Sequence, residues 1–126
     1  MTISYNRLGS NGRLGNQMFQ YASLRGIANY NQYQWMIPPP DCNHRDNYGL
    51  FDTFEMKHCK PENLGFNDGM TITEKTHAFD DSMFYCTDGV NIDAYLQTED
   101  YFVHIADQIR EDFTFKKDYL EPCQEF

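Results

Sequence analysis

The sequence predicts an α/β domain, a parallel sheet flanked by helices. Three observations carry the prediction. Extended-type residues open the chain at 2–8, glycines follow at positions 9, 12 and 15, and an apolar stripe at helical spacing then runs to about Tyr30. A second extended run, Tyr33-Gln34-Trp35-Met36-Ile37, stops at Pro38-Pro39-Pro40. Strand, glycine loop, helix, strand is the opening unit of a parallel α/β sheet. The length of 126 residues suits one compact domain, and 40% hydrophobic with 16% aromatic content excludes a disordered chain.

Each element has its own warrant. In the first strand Ile3 and Tyr5 share a face, although Asn6 and Arg7 are not strand-rich types. The loop Gly9-Ser10-Asn11-Gly12-Arg13-Leu14-Gly15 ends where a helix starts, near Gly15 or Asn16. On that helix Phe19, Ala22, Ser23, Gly26, Ile27 and Tyr30 fall on one stripe. Small residues in the stripe allow a close approach to a sheet or another helix, which would offset the roughly 1 kcal/mol that Gly26 costs relative to Ala. Prolines end the second strand because they cannot continue a ladder.

Further along, Leu50-Phe51-Asp52-Thr53-Phe54 is an apolar patch in a polar stretch, and Met70–Lys75 reads as a strand. Val90, Ile92, Ala94 and Leu96 alternate with Asn91, Asp93 and Tyr95, the period of a half-buried strand. A last helix is predicted over Glu99–Phe113, with Phe102, Ile105, Ala106, Ile109 and Phe113 on one face. Thr98 suits its N-cap, and Glu99 and Asp100 suit the positive end of its dipole.

Charge and cysteines narrow the function classes. A formal charge of −9 repels phosphate backbones and anionic headgroups, so nucleic acid is excluded as a partner. A phosphate-bearing ligand would need backbone N–H groups or one or two placed arginines. Cys42, Cys59, Cys86 and Cys123 lack the close spacing of a zinc or redox site, so no metal is expected. Four dispersed cysteines fit reduced thiols and a cytoplasmic setting better than a disulfide framework. No signal-peptide or membrane-spanning run is present, which leaves room for peripheral membrane attachment.

The glycine loop is the candidate site. Its glycines allow a tight turn and a close backbone approach, and the helix start beyond it presents N–H groups to an anion. Arg13 adds a charged fork for phosphate, while Asn16 and Gln17 offer amides to hydroxyls or phosphate oxygens. The same residues also serve a plain turn and helix cap. A nicotinamide-dependent reductase or epimerase has similar spacing, but it wants an acid near the end of the second strand. Here Ile37 runs into prolines, Asp41 comes first after them, and no Tyr is followed by Lys four positions on.

The full string decides between these. Gly12-Arg13-Leu14-Gly15-Asn16-Gln17-Met18-Phe19-Gln20-Tyr21-Ala22 resembles the N-terminal signature of family 11 glycosyltransferases, G-(G/R)-(L/M)-G-N-Q-(M/L)-F-Q-Y-A, at every position. Leu50–Phe54 resembles the family's L-F-D-x-F element. Tyr95–Phe102 resembles its G-Y-(F/L)-Q-(S/T)-E-K-Y-F segment, with Ala94 for the Gly and Asp100 for the Lys. Ile109–Phe113 resembles its I-R-x-x-F helix. Support between 55 and 89 is sparse.

The resemblance implies a GT-B type enzyme with two Rossmann-like halves facing a cleft, of which residues 1–126 are the N-terminal half. It implies transfer of fucose from GDP-fucose to a galactoside hydroxyl, usually the 2-OH, with inversion and no cofactor or essential metal. A similar G-R-F-G-N-Q loop lines the donor and catalytic cleft of related protein O-fucosyltransferases. By that likeness Arg13 and Asn16 are the catalytic candidates, with Gly12, Gly15 and Gln17 binding donor or acceptor. The family's H-x-R-R-x-D motif, which grips GDP-fucose, has no counterpart here. A second chain or a C-terminal domain would supply it. A catalytically inactive glycan-related module is the alternative.

Other chemistry-bearing residues have plainer readings. His44, His58, His77 and His104 form no paired ligand spacing and suit surface or capping roles. His44-Arg45-Asp46 has the letters of a kinase catalytic loop without the rest of that machinery. Phe79-Asp80-Asp81 reads as a turn, and Tyr101 and Phe102 as core. Gln97 and Glu99 could face an acceptor, yet a strand end and a helix start explain them. The general base has no candidate from sequence.

Overall fold

The computed structural model describes residues 1–8, 14–40, 49–74 and 79–116. Its sheet has four parallel strands: β1 (Thr2–Ser4), β2 (Gln34–Met36), β3 (Thr71–Ile72) and β4 (Asn91–Ile92), in the order β2-β1-β4-β3. β1 pairs with β2 in the register Thr2–Gln34, Ile3–Trp35 and Ser4–Met36. Ser4 is opposite Asn91 on the other side, and β3 lies beyond β4. The coarse expectation of an α/β domain on a parallel sheet is met.

The helix α1 spans Leu14–Asn31, within a residue or two of the predicted run. It is buried continuously from Gln20 to Ala28 because it is covered on two sides. Tyr21, Leu24, Ile27 and Ala28 join Ile3, Tyr5, Ile37 and Ile92 in the main core. Ala22 packs with Ile105 and Ile109 in a second cluster. Gly26 marks the closest approach: a Cβ there would lie 1.9 Å from the Tyr101 carbonyl oxygen. The small-residue stripe therefore receives the 99–112 segment. Tyr30 ends the stripe on the surface, 53% exposed.

Several predicted elements are shorter than expected: the strand read over 2–8 is Thr2–Ser4, and that read over Met70–Lys75 is Thr71–Ile72 among the described residues. The alternating run 90–96 is strand only at Asn91–Ile92, although Val90, Ile92, Ala94 and Leu96 are all buried as the alternation required. Beyond the Ser4–Asn91 pair, bonds between the β1 and β4 segments run through side chains: Asn6 N–H donates to Asn91 Oδ1 at 2.8 Å, and Ala94 meets the Tyr5 hydroxyl. That hydroxyl accepts from Ala94 N–H at 3.2 Å and donates to the Ala94 carbonyl. Leu96 then turns the chain with φ of 53°, a left-handed conformation costly for a side chain of this type.

The predicted helix 99–113 is divided. Two 3-10 turns, Glu99–Tyr101 and Val103–Ile105, precede α3 (Ala106–Asp112). Phe102 (φ −135°, ψ 9°) and Ile105 (φ −123°, ψ 26°) leave helical geometry. The divided path seats Tyr101 against Gly26 and Phe102 against Phe19, with ring centroids 6.1 Å apart, while Ile105 and Ile109 remain buried. Thr98 does cap the first turn, its hydroxyl accepting from Asp100 N–H at 3.3 Å. A single-turn helix α2 (Leu50–Thr53) precedes Phe54, whose ring packs on Phe113 at 5.0 Å.

Candidate functional site

All four strands run the same way, so their carboxyl ends share one edge. The chain places β2 on one side of β1 and then β4 and β3 on the other. In open parallel sheets, ligands sit outside the carboxyl ends of strands where strand order changes sense. Here that point lies between the residues leaving β1 (Tyr5–Leu8) and those leaving β4 (Asp93–Leu96).

Both segments at this boundary are anchored. Asn6 N–H donates to Asn91 Oδ1 at 2.8 Å, and the Asn6 amide exchanges hydrogen bonds with Asn67 main chain at 2.6 and 3.0 Å. Glu74, two residues past β3, accepts from Leu96 N–H at 3.1 Å and from the Tyr101 hydroxyl at 2.6 Å. The Tyr101 hydroxyl in turn accepts from Asp80 N–H at 2.8 Å. Burial, then the Glu74 hydrogen bond, raises that phenol well above its ordinary value. On the surface of the boundary, Arg7 Nη1 is 3.0 Å from Asp93 Oδ2. The hydrogen bond and charge of Asp93 raise the Arg7 guanidinium further and keep it charged.

The predicted site residues are partly in view. Gly12 and Arg13 lie outside the described residues. Gly15 is exposed on the first turn of α1, and a Cβ there would meet nothing within 4 Å among the described residues. Asn16 is half-buried on the same turn. Gln17 is fully buried, and its Oε1 accepts from Gly49 N–H at 3.1 Å, tying α1 to the start of α2. The Gly15–Asn16 turn is thus open, whereas Gln17 faces inward.

The histidines in view have surface roles. His58 Nε2 lies 2.9 Å from Glu111 Oε2, and His104 Nε2 lies 2.9 Å from the Gly26 carbonyl oxygen. His44 and His77 lie outside the described residues. Asp80 caps the 3-10 turn Asp81–Tyr85 by accepting from Ser82 N–H at 3.1 Å, in keeping with the turn reading of 79–81. Among the described residues no group of three His, Cys, Asp or Glu is placed to hold a metal, and no helix is long and apolar enough to cross a membrane.

Sequence reasoning missed a buried ionic centre. Asp112, with no exposed surface, accepts from the Tyr21 hydroxyl at 2.5 Å, from Arg25 Nη1 and from His58 N–H at 2.6 Å. Arg25 Nη2 donates to Gln108 Oε1 at 2.7 Å, and the guanidinium lies 5.5 Å from the Trp35 ring centroid. Burial and the Asp112 charge raise the Tyr21 hydroxyl well above its ordinary value and push the Cys59 thiol up to about 12. A centre so enclosed offers no path to a ligand; it fixes α3 to α1. Tyr21 and Arg25 stand four apart on one helix face, but their acid is 87 positions from Arg25 and gives no local signal.

An apolar cleft of about 190 Å³ opens at the α1–α3 seam, lined by Met18, Phe19, Phe102, Ile109 and Phe113. It lacks the polar groups a sugar or phosphate needs. No protein-family model matches the chain, and no match is found among curated proteins or among solved structures.

Proposed function

We propose that the chain is the N-terminal, Rossmann-like half of a GT-B type α-1,2-fucosyltransferase, transferring fucose from GDP-fucose to a galactoside hydroxyl. The observation that carries the reading is the eleven-residue string Gly12–Ala22, of which Leu14–Ala22 lies in α1. Parallel pairing of β1 with β2 around that helix supports it, because this is the unit that presents such a loop to a ligand.

In this reading Arg13 and the N–H groups around Gly12 and Gly15 meet the diphosphate. Asn16 bonds a sugar hydroxyl or phosphate oxygen from the first turn of α1. Gln17, fully buried and accepting from Gly49 N–H, holds the first turn of α1 to the start of α2 and does not reach the donor. As the bond from fucose C1 to the phosphate oxygen breaks, negative charge grows on departing GDP. Donors placed there lower the barrier because they bind the transition state more strongly than the ground state. The acceptor oxygen attacks the opposite face of C1, which inverts it, and its proton passes to a base. A second half carrying the H-x-R-R-x-D motif would complete the grip on the nucleotide.

Calorimetry with GDP-fucose on the isolated chain, beside turnover in an enzyme carrying both halves, tests the reading. Weak donor binding is expected for the chain alone. Arg13→Ala should lower kcat/KM of the two-half enzyme about 10²- to 10³-fold with the fold intact. Unchanged turnover would remove the site assignment, and tighter binding of NADPH than of GDP-fucose would move the chain to the reductases.

A further inference from the structure

We propose that Tyr30, Tyr85 and Asp81 form a docking corner for an arginine side chain carried by a basic segment of a partner protein. The corner stands at the other end of α1 from the Gly15–Asn16 turn, about 21 Å along the helix axis, so it is separate from the donor chemistry above.

Two aromatic faces make the corner. Tyr30 lies in the last turn of α1, and Tyr85 ends the 3-10 turn Asp81–Tyr85. Their rings stand nearly perpendicular, at 86°, with centroids 6.2 Å apart. Both remain open to solvent, Tyr30 at 53% and Tyr85 at 72%. Tyr30 is fixed from behind. Phe84, buried, packs on it at 4.8 Å and is itself braced by Phe79 at 5.9 Å and by Tyr101 and His104 at 6.0 Å. A wall held in place before a ligand arrives cuts the ordering cost of binding.

Charge selects a cation. Asp81 is exposed and begins the turn that Tyr85 ends. Asp80, not Asp81, makes the capping bond of that turn, and Asp81 has no hydrogen-bond or ion-pair partner among the described residues. The hydrogen bond with Tyr30 is the largest cause raising the Tyr85 phenol, and the Asp81 charge adds to it, so the carboxylate is within electrostatic reach of the corner. The last turn of α1 carries no basic residue to offset the negative end of its dipole. The chain as a whole carries −9, which opposes a second copy of itself on this surface and favours a basic partner.

Shape and hydration then select arginine. Ring faces attract a cation laid over them. A guanidinium is planar and weakly hydrated, and it can stack on one ring while its N–H edge bonds a carboxylate. An ammonium is a compact, strongly hydrated point charge and gives up more water to reach the same place. A quaternary ammonium has no N–H for Asp81. Two exposed rings make an open corner, which suits a side chain presented by another protein whose flanking residues add contact area.

NMR titration of the full chain with acetyl-Gly-Gly-Arg-Gly-Gly-amide, with its lysine and citrulline counterparts, and with free arginine tests this. The arginine peptide should move the Tyr30 and Tyr85 ring resonances, the lysine peptide should bind more weakly, and the neutral citrulline peptide should leave the rings unmoved. Tyr85→Ala and Asp81→Asn should each weaken the arginine peptide about two- to fivefold, with the remaining spectrum showing an intact fold because both side chains are exposed. Added salt should weaken it further. Shifts confined to other residues, no binding of the arginine peptide, equal binding of the citrulline peptide, or unchanged affinity in both variants would each overturn the corner. Equal affinity for the lysine peptide would reduce it to a general charge effect and overturn the arginine assignment. Tighter binding of free arginine than of the peptide would make this a small-molecule site and overturn the docking assignment.

Discussion

Asp112 sits at the meeting point of three parts of the chain: α1 through Tyr21 and Arg25, the turn at His58 through a backbone N–H, and its own helix. Taking two charges out of water costs several kcal/mol per ion, and Coulomb attraction with good hydrogen bonds recovers it only while both partners are present. Arg25 Nε has no partner among the described residues, so the guanidinium depends heavily on Asp112. Asp112→Ala should therefore destabilise the fold by about 3–5 kcal/mol in urea unfolding. Arg25→Met with Asp112→Asn together should cost far less, because no charge remains buried and an acceptor remains for His58 N–H. A loss below about 1 kcal/mol for Asp112→Ala would show that the pair is solvated and that its enclosure is misjudged.

At the scale of elements, the seam between α1 and the 99–112 segment is governed by Gly26. An alanine in an ordinary helix interior is favoured over glycine by about 1 kcal/mol. Here the added methyl would sit 1.9 Å from the Tyr101 carbonyl oxygen and 2.8 Å from Phe102 Cα, both backbone atoms that cannot rotate away. Gly26→Ala should therefore destabilise by about 1–3 kcal/mol, reversing the sign expected from propensity. A stabilised variant in thermal or urea unfolding would mean the two segments do not approach this closely. This seam was half legible in the sequence. A stripe of small residues at helical spacing announced a close neighbour for α1, because only close packing makes such a stripe worth its propensity cost. It did not say which neighbour. The division of the predicted last helix was hidden for a related reason: apolar spacing over 99–113 is the same for one helix and for turns followed by a helix. The choice is made by where Tyr101 and Phe102 must go against α1. In β4 the alternation correctly gave the buried face, but the side-chain bonds that replace the ladder, Asn91 to Asn6 and Tyr5 to Ala94, join residues 85 and 89 positions apart and give no local signal. At the candidate site the glycine pattern at 9–13 lies outside the described residues, while the Arg7–Asp93 pair needed β1 and β4 to be neighbours first.

For the molecule as a whole, the buried acids without charge point to an alkaline limit on stability. Tyr21, Cys59, Cys86 and Tyr101 all hold their protons more tightly folded than in open solution, with burial the leading cause in each. For Cys59 the value rises from 9.0 to about 12. Between those values the folded chain binds more protons than the unfolded one, so the free energy of unfolding falls as pH rises. The contribution is complete below the unfolded thiol value and is lost as pH climbs towards the folded one; the tyrosines extend the loss upward from their ordinary value near 10. Urea midpoints should accordingly stay level from pH 7 to about 8.5 on this account and drop steeply above about 9. Tyr21→Phe removes one titrating group while keeping the ring against Trp35, so it should start from lower stability, having lost the Asp112 hydrogen bond, and decline less steeply with pH. A midpoint level to pH 11 in the native chain would mean that these hydroxyls and thiols reach solvent, and with them the buried centre that ties α3 to α1.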